Sequence, residues 1–232
     1  MPHAKTHVLD NPIWNALQTG NRPFAFSNKN AAFIRRDMGA FAGMPRYEPE
    51  AWSALHAAIE VGEIVVLFTP ATLPVPAGWQ VQLEKNLLQM VHNNTGAAAS
   101  RSDNIIPLTE AHIPHMLALT QLTKPGPFLP RTIDFGNYEG IFENGQLVSM
   151  AGQRLQPDPY TELSAVCTHP DALGKGYAGM LIQSQVEQIS AAGRIPFLHV
   201  YPENEGAVAL YRKLGFAVRR ELVVYVLEKT QL

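Results

Sequence analysis

Residues 169–185, HPDALGKGYAGMLIQSQ, set Gly174, Gly176 and Gly179 with a lysine directly in front of a run with helical spacing. Nothing else in the chain restricts its fold as tightly. Glycine loses more conformational freedom on folding than any other residue, so glycines clustered at a helix start imply left-handed backbone angles or a ligand close to the main chain. A helix N-terminus offers free N–H groups and the positive end of a dipole, and the anion it suits is commonly a phosphate. The flanks support this layout. YTELSAVCTHP (160–170) reads as a strand ended by Pro170. A helix from Lys175 to about Ala192 follows, with Ala178, Leu181, Ile182, Val186 and Ile189 inward.

The elements around this turn define a pattern. IIPL (105–108) reads as a short strand, and Thr109 caps a helix over EAHIPHMLALTQLT, with Pro114 close enough to its start to be tolerated. KPGPFLPRT (124–132) is an irregular connection. Asn144-Gly145 between two strand-like runs marks a hairpin over 138–155. PFLHVY (196–201) is a strand, NEGAVALYRKLGF a helix with Asn204 at its start and Gly215 at its stop, and ELVVYVLEK (221–229) the last strand. Ala207, Leu210, Tyr211 and Leu214 form that helix's apolar stripe. The order from residue 105 predicts an α/β fold with a mixed, mainly antiparallel twisted sheet and flanking helices.

Upstream, Pro12 suits the first position of a helix capped by Asp10 or Asn11, and 48–62 fits a second helix with Trp52, Leu55, Ala58 and Ile59 on one face. EIVVLF reads as a buried strand, and TPATLPVPAGW (69–79) is a loop. WQVQLEKNLLQMV (79–91) fits a strand that continues as a helix, and its periodicity leaves the choice open. HNNTGAAASRSDN (92–104) is small and polar and reads as a linker. The expected division is a smaller α/β part over 1–100 and a second part over 101–232.

Three phosphate sites compete for the glycines. A nucleotide triphosphate loop requires Ser or Thr after its lysine, whereas Lys175 stands between glycines. GKGYAG satisfies the dinucleotide pattern G-x-G-x-x-G, but Pro170 interrupts its approach and the next strand ends on HVY rather than on an acidic residue. The third site is carried by two blocks together. VCTHPDALGKGYA, an amphipathic helix, a strand, then NEGAVALYRKLGF resembles the GNAT superfamily of acyl-CoA-dependent N-acyltransferases over about 103–229. The first block resembles that family's pyrophosphate motif, Q/R-x-x-G-x-G/A, except that Leu173 replaces Gln or Arg; the second resembles its C-terminal motif with Asn and Leu-Tyr.

The resemblance implies a set of roles. Backbone groups of Leu173, Gly174, Lys175, Gly176, Tyr177 and Ala178 would cradle the pyrophosphate of coenzyme A, and Val166, Cys167 and Thr168 would line its pantetheine arm. The N–H of Val166 or Cys167 would stabilise the oxyanion, and Asn204 and Ala207 would meet the arm from the next helix. Tyr211 is the expected acid and Glu162 the expected base. Cys167 lacks a partner base other than His169, and a direct transfer needs no thiol nucleophile. His199, on a central strand, reads as a satisfied core histidine, and the scattered His112 and His115 predict no metal.

Bulk properties narrow the setting. The chain has 232 residues and a formal net charge of -2, with no basic excess for nucleic acid. One cysteine, no signal-like start and only strand-length aliphatic runs predict a cytoplasmic protein with no membrane contact. The implied function is transfer of an acetyl (acyl) group from acetyl-CoA to an amino group of a small molecule or peptide, by a monomer or homodimer. The alternative is a non-catalytic coenzyme-A-binding sensor or scaffold. Residues 1–100 carry no chemical motif; they suit a degenerate acyltransferase-like half that walls the acceptor site, or simple structural support.

Overall fold

A computed structural model describes residues 7–93 and 104–231. Helices are α1 (Pro12–Gln18), α2 (Pro49–Ala58), α3 (Ile113–Thr123), α4 (Tyr177–Ala191) and α5 (Glu205–Lys213). Strands β1 (Ala25–Ser27), β2 (Ala32–Ile34) and β3 (Ala42–Gly43) make a small antiparallel sheet. The main sheet contains β4 (Ile64–Thr69), β5 (Trp79–His92), β6 (Ile106–Pro107), β7 (Glu139–Glu143), β8 (Gln146–Gln153), β9 (Tyr160–Thr168), β10 (Ile195–Val200) and β11 (Phe216–Lys229). Their order across it is β4-β11-β5-β10-β9-β8-β7-β6. Among the described strands of this sheet only the neighbours β9 and β10 pair in parallel, as the intervening helix crossover requires.

Local sequence explains most of these elements. Pro12 and Pro49 stand at the first position of their helices, where a missing N–H costs nothing. Asn144 and Gly145, at φ 49° and 79°, make the tight turn of the β7–β8 hairpin. Thr109 caps a single 3-10 turn (Glu110–His112), from which α3 continues with Pro114 in its first turn. In α2, Trp52 and Leu55 are buried as expected, but Ala58 is exposed and Ile59 is buried just past the helix end.

The open choice at 79–91 resolves as strand throughout. β5 lies between β11 and β10 and pairs with β11 from Trp79↔Lys229 to His92↔Phe216. The last strand correspondingly starts at Phe216, five residues before the run expected from 221. Most of the linker lies outside the described residues. The division drawn at residue 100 does not separate two sheets: β4 and β5, from the first part, are the neighbours of β11 and β10. Trp52, Leu55 and Trp79 pack with Val223, Tyr225 and Leu227 in one apolar cluster that spans that division. Among the described residues no helix is long and apolar enough to cross a membrane.

Candidate active site

The parallel pair β9–β10 is joined only over Tyr160–Glu162 against Ile195–Phe197. From Leu163 on the two strands part, and the edge of β9 facing β10 pairs with no strand among the described residues. On its other side β9 carries a bulge. Ala165 and Val166 oppose the single residue Ala151 of β8, between the pairs Met150↔Cys167 and Gly152↔Ser164. Ala165 is forced to φ 53°, a left-handed angle that a side chain resists. Such strain gathers where a backbone group must be aimed at a ligand.

The parted strands open into a cavity of about 240 Å³. One wall is Leu163, Ser164, Ala165 and Val166 of β9, faced by Val200 and Tyr201. Asn204, the N-cap of α5, and Tyr211 within that helix also line it. The opposite wall is apolar and comes largely from the first hundred residues: Met38, Phe41, Val66, Phe68 and Leu87, joined by Phe135. Of the residues expected from sequence, Val166, Asn204 and Tyr211 therefore meet at one cavity.

Tyr211 is 8% exposed, and burial pushes its phenol up to about 12, so it keeps its proton at neutral pH. Its hydroxyl has no hydrogen-bond partner among the described residues. Asn204 caps α5 by accepting from the Ala207 N–H at 3.2 Å, which leaves its Nδ2 free to donate. Ala207 lies in the first turn of that helix.

The glycine turn leads into α4. Gly174 and Gly176 sit at φ 77° and 80°, and a Cβ at either would meet nothing within 4 Å. The angles, not crowding, thus demand glycine, and the space over the turn is open. The N–H groups of 174–179 find no backbone acceptor among the described residues. Lys175 Nζ donates to both oxygens of Glu143 at 2.8 Å, and the Tyr177 hydroxyl donates to the same carboxylate. Leu173, 66% exposed, projects where the resembled motif has a polar residue. Leu173 to Ala178 lie apart from the cavity lining, as expected for groups that would hold the distal end of a long ligand.

Glu162 is fully buried. Arg154 Nε and Nη2 donate to its two oxygens at 3.0 and 2.7 Å, and His199 Nδ1 lies 2.7 Å from Oε1. Burial alone would raise its pKa; the charge of Arg154 and the bonds from both partners outweigh burial and hold it at about 2. Gln89 fixes the histidine. Its Oε1 accepts from Arg219 at 2.8 Å, and its Nε2 donates to the Leu9 carbonyl at 2.9 Å and faces His199 Nε2 at 3.1 Å. His199 therefore carries its proton on Nδ1, toward Glu162. A carboxylate held so low is a poor acceptor for an ammonium proton, and both nitrogens of His199 are occupied. The geometry gives Glu162 ion-pair partners rather than a substrate proton.

Cys167 is buried, and burial pushes its thiol up to about 11. It is a packed group, not a nucleophile at neutral pH. Thr168 shares its hydroxyl with Ser149 at 2.8 Å. His169 accepts from the Asp171 N–H at 3.2 Å, a loop role. No group of His, Cys, Asp and Glu among the described residues is arranged to hold a metal ion. Sequence reasoning missed Arg154, Tyr138, Phe41 and Phe135. None lies in a motif, and only the tertiary arrangement brings Arg154, Phe41 and Phe135 to the cavity and Tyr138 to a small niche that Arg154 also lines.

The family model described as FR47-like protein matches residues 138–225. A candidate acetyltransferase of the GNAT family from Novosphingobium aromaticivorans is 33% identical, with a TM-score of 0.89 over 97% of this chain and 100% of its own. A GCN5-related N-acetyltransferase from Kribbella flavida superposes with a TM-score of 0.61 at 15% identity, over 94% of this chain and 95% of its own. A GNAT-family acetyltransferase from Colwellia psychrerythraea gives 0.52 at 15% identity, over 87% and 83%. The last two show the fold alone. No curated protein matches the sequence.

Proposed function

Because the chain belongs to the GNAT family of acetyltransferases, we propose that it moves an acetyl (acyl) group from acetyl-CoA to an amino group of a small molecule or peptide, by direct attack in a ternary complex. The observation that carries this reading is the parting of β9 and β10 at Leu163, which opens an unpaired strand edge onto the cavity that Tyr211 faces. The free β9 edge and Asn204 Nδ2 suit an amide-bearing arm, and the glycine turn with its free N–H groups suits a diphosphate. The thioester bound there supplies the activated carbonyl.

The chain's residues then divide the work. The β9 backbone at the bulge, through the N–H of Val166 or Cys167, stabilises the oxyanion as the C–N bond forms. Tyr211 gives its proton to the departing sulfur as the C–S bond breaks. The burial that raises its pKa also makes a desolvated thiolate more basic, which keeps that transfer near balance. The proton lost by the amine leaves through water. We assign Glu162 to holding Arg154 and His199 in place, in revision of the base role expected from sequence. The apolar wall from Met38, Phe41, Val66 and Phe68 supports an acceptor-enclosing role for residues 1–100. A single cysteine, free and buried, supports the proposal of a reducing, cytoplasmic setting.

Calorimetric titration of acetyl-CoA and free CoA, with Gly176→Asp as control, tests the coenzyme site; binding is expected for the native chain and lost in the variant. Thiol release across a panel of amines then tests turnover. Tyr211→Phe is expected to keep coenzyme affinity and lose about a hundredfold in kcat. Full rate in that variant over the whole pH range would overturn the acid assignment. Coenzyme binding with no turnover of any amine would instead favour the sensor or scaffold alternative.

A further inference from the structure

We infer that the acceptor is a free α-amino acid with an apolar side chain, its carboxylate held by Tyr138 and Arg154; this rests on the acyl-transfer reading above. The starting point is an orphaned group. Tyr138 is 2% exposed, and its hydroxyl has no hydrogen-bond partner among the described residues. Leaving a buried hydroxyl unpaired is destabilising, and a phenylalanine would avoid the cost. Arg154 is the second. Its Nε and Nη2 are spent on Glu162, its guanidinium lies 4.8 Å above the Phe41 ring, and its Nη1 finds no partner among the described residues.

Tyr138 and Arg154 both line a niche of about 20 Å³. That is room for one oxygen-sized group. Two further polar residues line it, Thr132 and Ser164. Thr132 is already engaged: its hydroxyl donates to the Met38 carbonyl and accepts from the Leu129 N–H, each at 2.8 Å. Besides the half-buried Ser164 hydroxyl, which also finds no partner among the described residues, the unused groups are a phenol and a guanidinium N–H. An anionic oxygen satisfies both, and a carboxylate presented to arginine makes the stronger, charge-assisted kind of bond.

The position of the niche sets the rest of the acceptor. Arg154, Ser164 and Ala165 wall both the niche and the main cavity. Ser164 and Ala165 lead into the bulge where the acyl carbonyl is placed. A carboxylate oxygen in the niche thus stands beside the reacting nitrogen, which suits an amine and a carboxylate on one carbon. The remaining volume is bounded by Met38, Phe41, Phe68, Phe135 and Val224. That wall suits an aliphatic or aromatic side chain and offers a charged one nothing.

The test uses the full chain saturated with CoA, titrated calorimetrically with L-phenylalanine, L-leucine and their amides. The amides keep the amine and side chain, lose the anion and mimic a peptide N-terminus. The expected result is about tenfold or greater preference for each acid over its amide. In Tyr138→Phe that preference should fall to within about threefold, with no drop in melting temperature, because the hydroxyl removed is unpaired. Equal binding of acid and amide, or binding of neither, overturns the inference and leaves acyl transfer standing. A preference retained in full by Tyr138→Phe overturns the assigned contact. Failure of CoA itself to bind removes the acyl-transfer reading and this inference with it.

Discussion

At Glu162 the difference between a residue's type and its surroundings decides its role. A glutamate on the strand before a phosphate turn suggests a base, but its strand register sets it against Arg154 and His199. Stability follows from that setting. The carboxyl is held at about 2 against an ordinary value of 4.5, so its stabilising contribution is present in full above 4.5 and is lost as pH falls toward 2. Glu162→Gln removes it and leaves the half-buried Arg154 charge without its ion-pair partner, a loss of about 1–3 kcal/mol at pH 7. Urea unfolding of both proteins at pH 7 and pH 3 checks this: the gap should narrow at the lower pH, and a gap independent of pH would contradict the ion-pair assignment. Residues inside the two motifs, such as Gly174, Gly176, Asn204 and Tyr211, were legible because local spacing identifies them. Arg154 and Tyr138 were not, because the ion pair of the first and the niche around the second are built by residues distant from them in the chain.

Among elements, those framed by their own signals were readable: the Asn144-Gly145 hairpin, α4 after its glycines, and α5 between Asn204 and Gly215. β5 was not. Leu83, Leu87, Leu88 and Val91 fit a helical period, and only pairing with β10 and β11 on its two sides makes the run a strand. The β7–β8 hairpin shows the same dependence within one element. Gly152 of β8 has the Tyr138 ring across it, and a Cβ there would lie 2.3 Å from Tyr138 Cδ1. Glycine at this position is required by close approach, not by backbone angle. Gly152→Ala must push the ring aside, at a cost of about 1–3 kcal/mol. Denaturant titration should show that loss, and pairing the change with Tyr138→Ala, which removes the ring, should make the two costs clearly non-additive. Strict additivity would mean the ring has room to move.

Over the whole molecule, the chemical motifs end where the fold does not. They fall within residues 103–229, so the sequence suggested a boundary near residue 100. Strand order crosses it: among the described residues β11 has only β4 and β5 as sheet neighbours, and β10 has β5 on one side. A fragment spanning 104–232 would keep the glycine turn, Asn204 and Tyr211, yet leave both long edges of β11 unpaired. It would also strip Trp52, Leu55 and Trp79 from Val223, Tyr225 and Leu227. Unpaired strand edges and newly exposed apolar faces favour aggregation over a stable smaller domain. The fragment is expected to be insoluble, or to unfold without a cooperative transition, and not to bind CoA. Far-ultraviolet circular dichroism through a urea titration, with calorimetry on any soluble material, decides the matter. A fragment that unfolds cooperatively and binds coenzyme would make β4 and β5 accessory. The fate expected instead ties coenzyme binding, acceptor enclosure and folding to one sheet, since β4 both completes that sheet and supplies Val66 and Phe68 to the cavity wall.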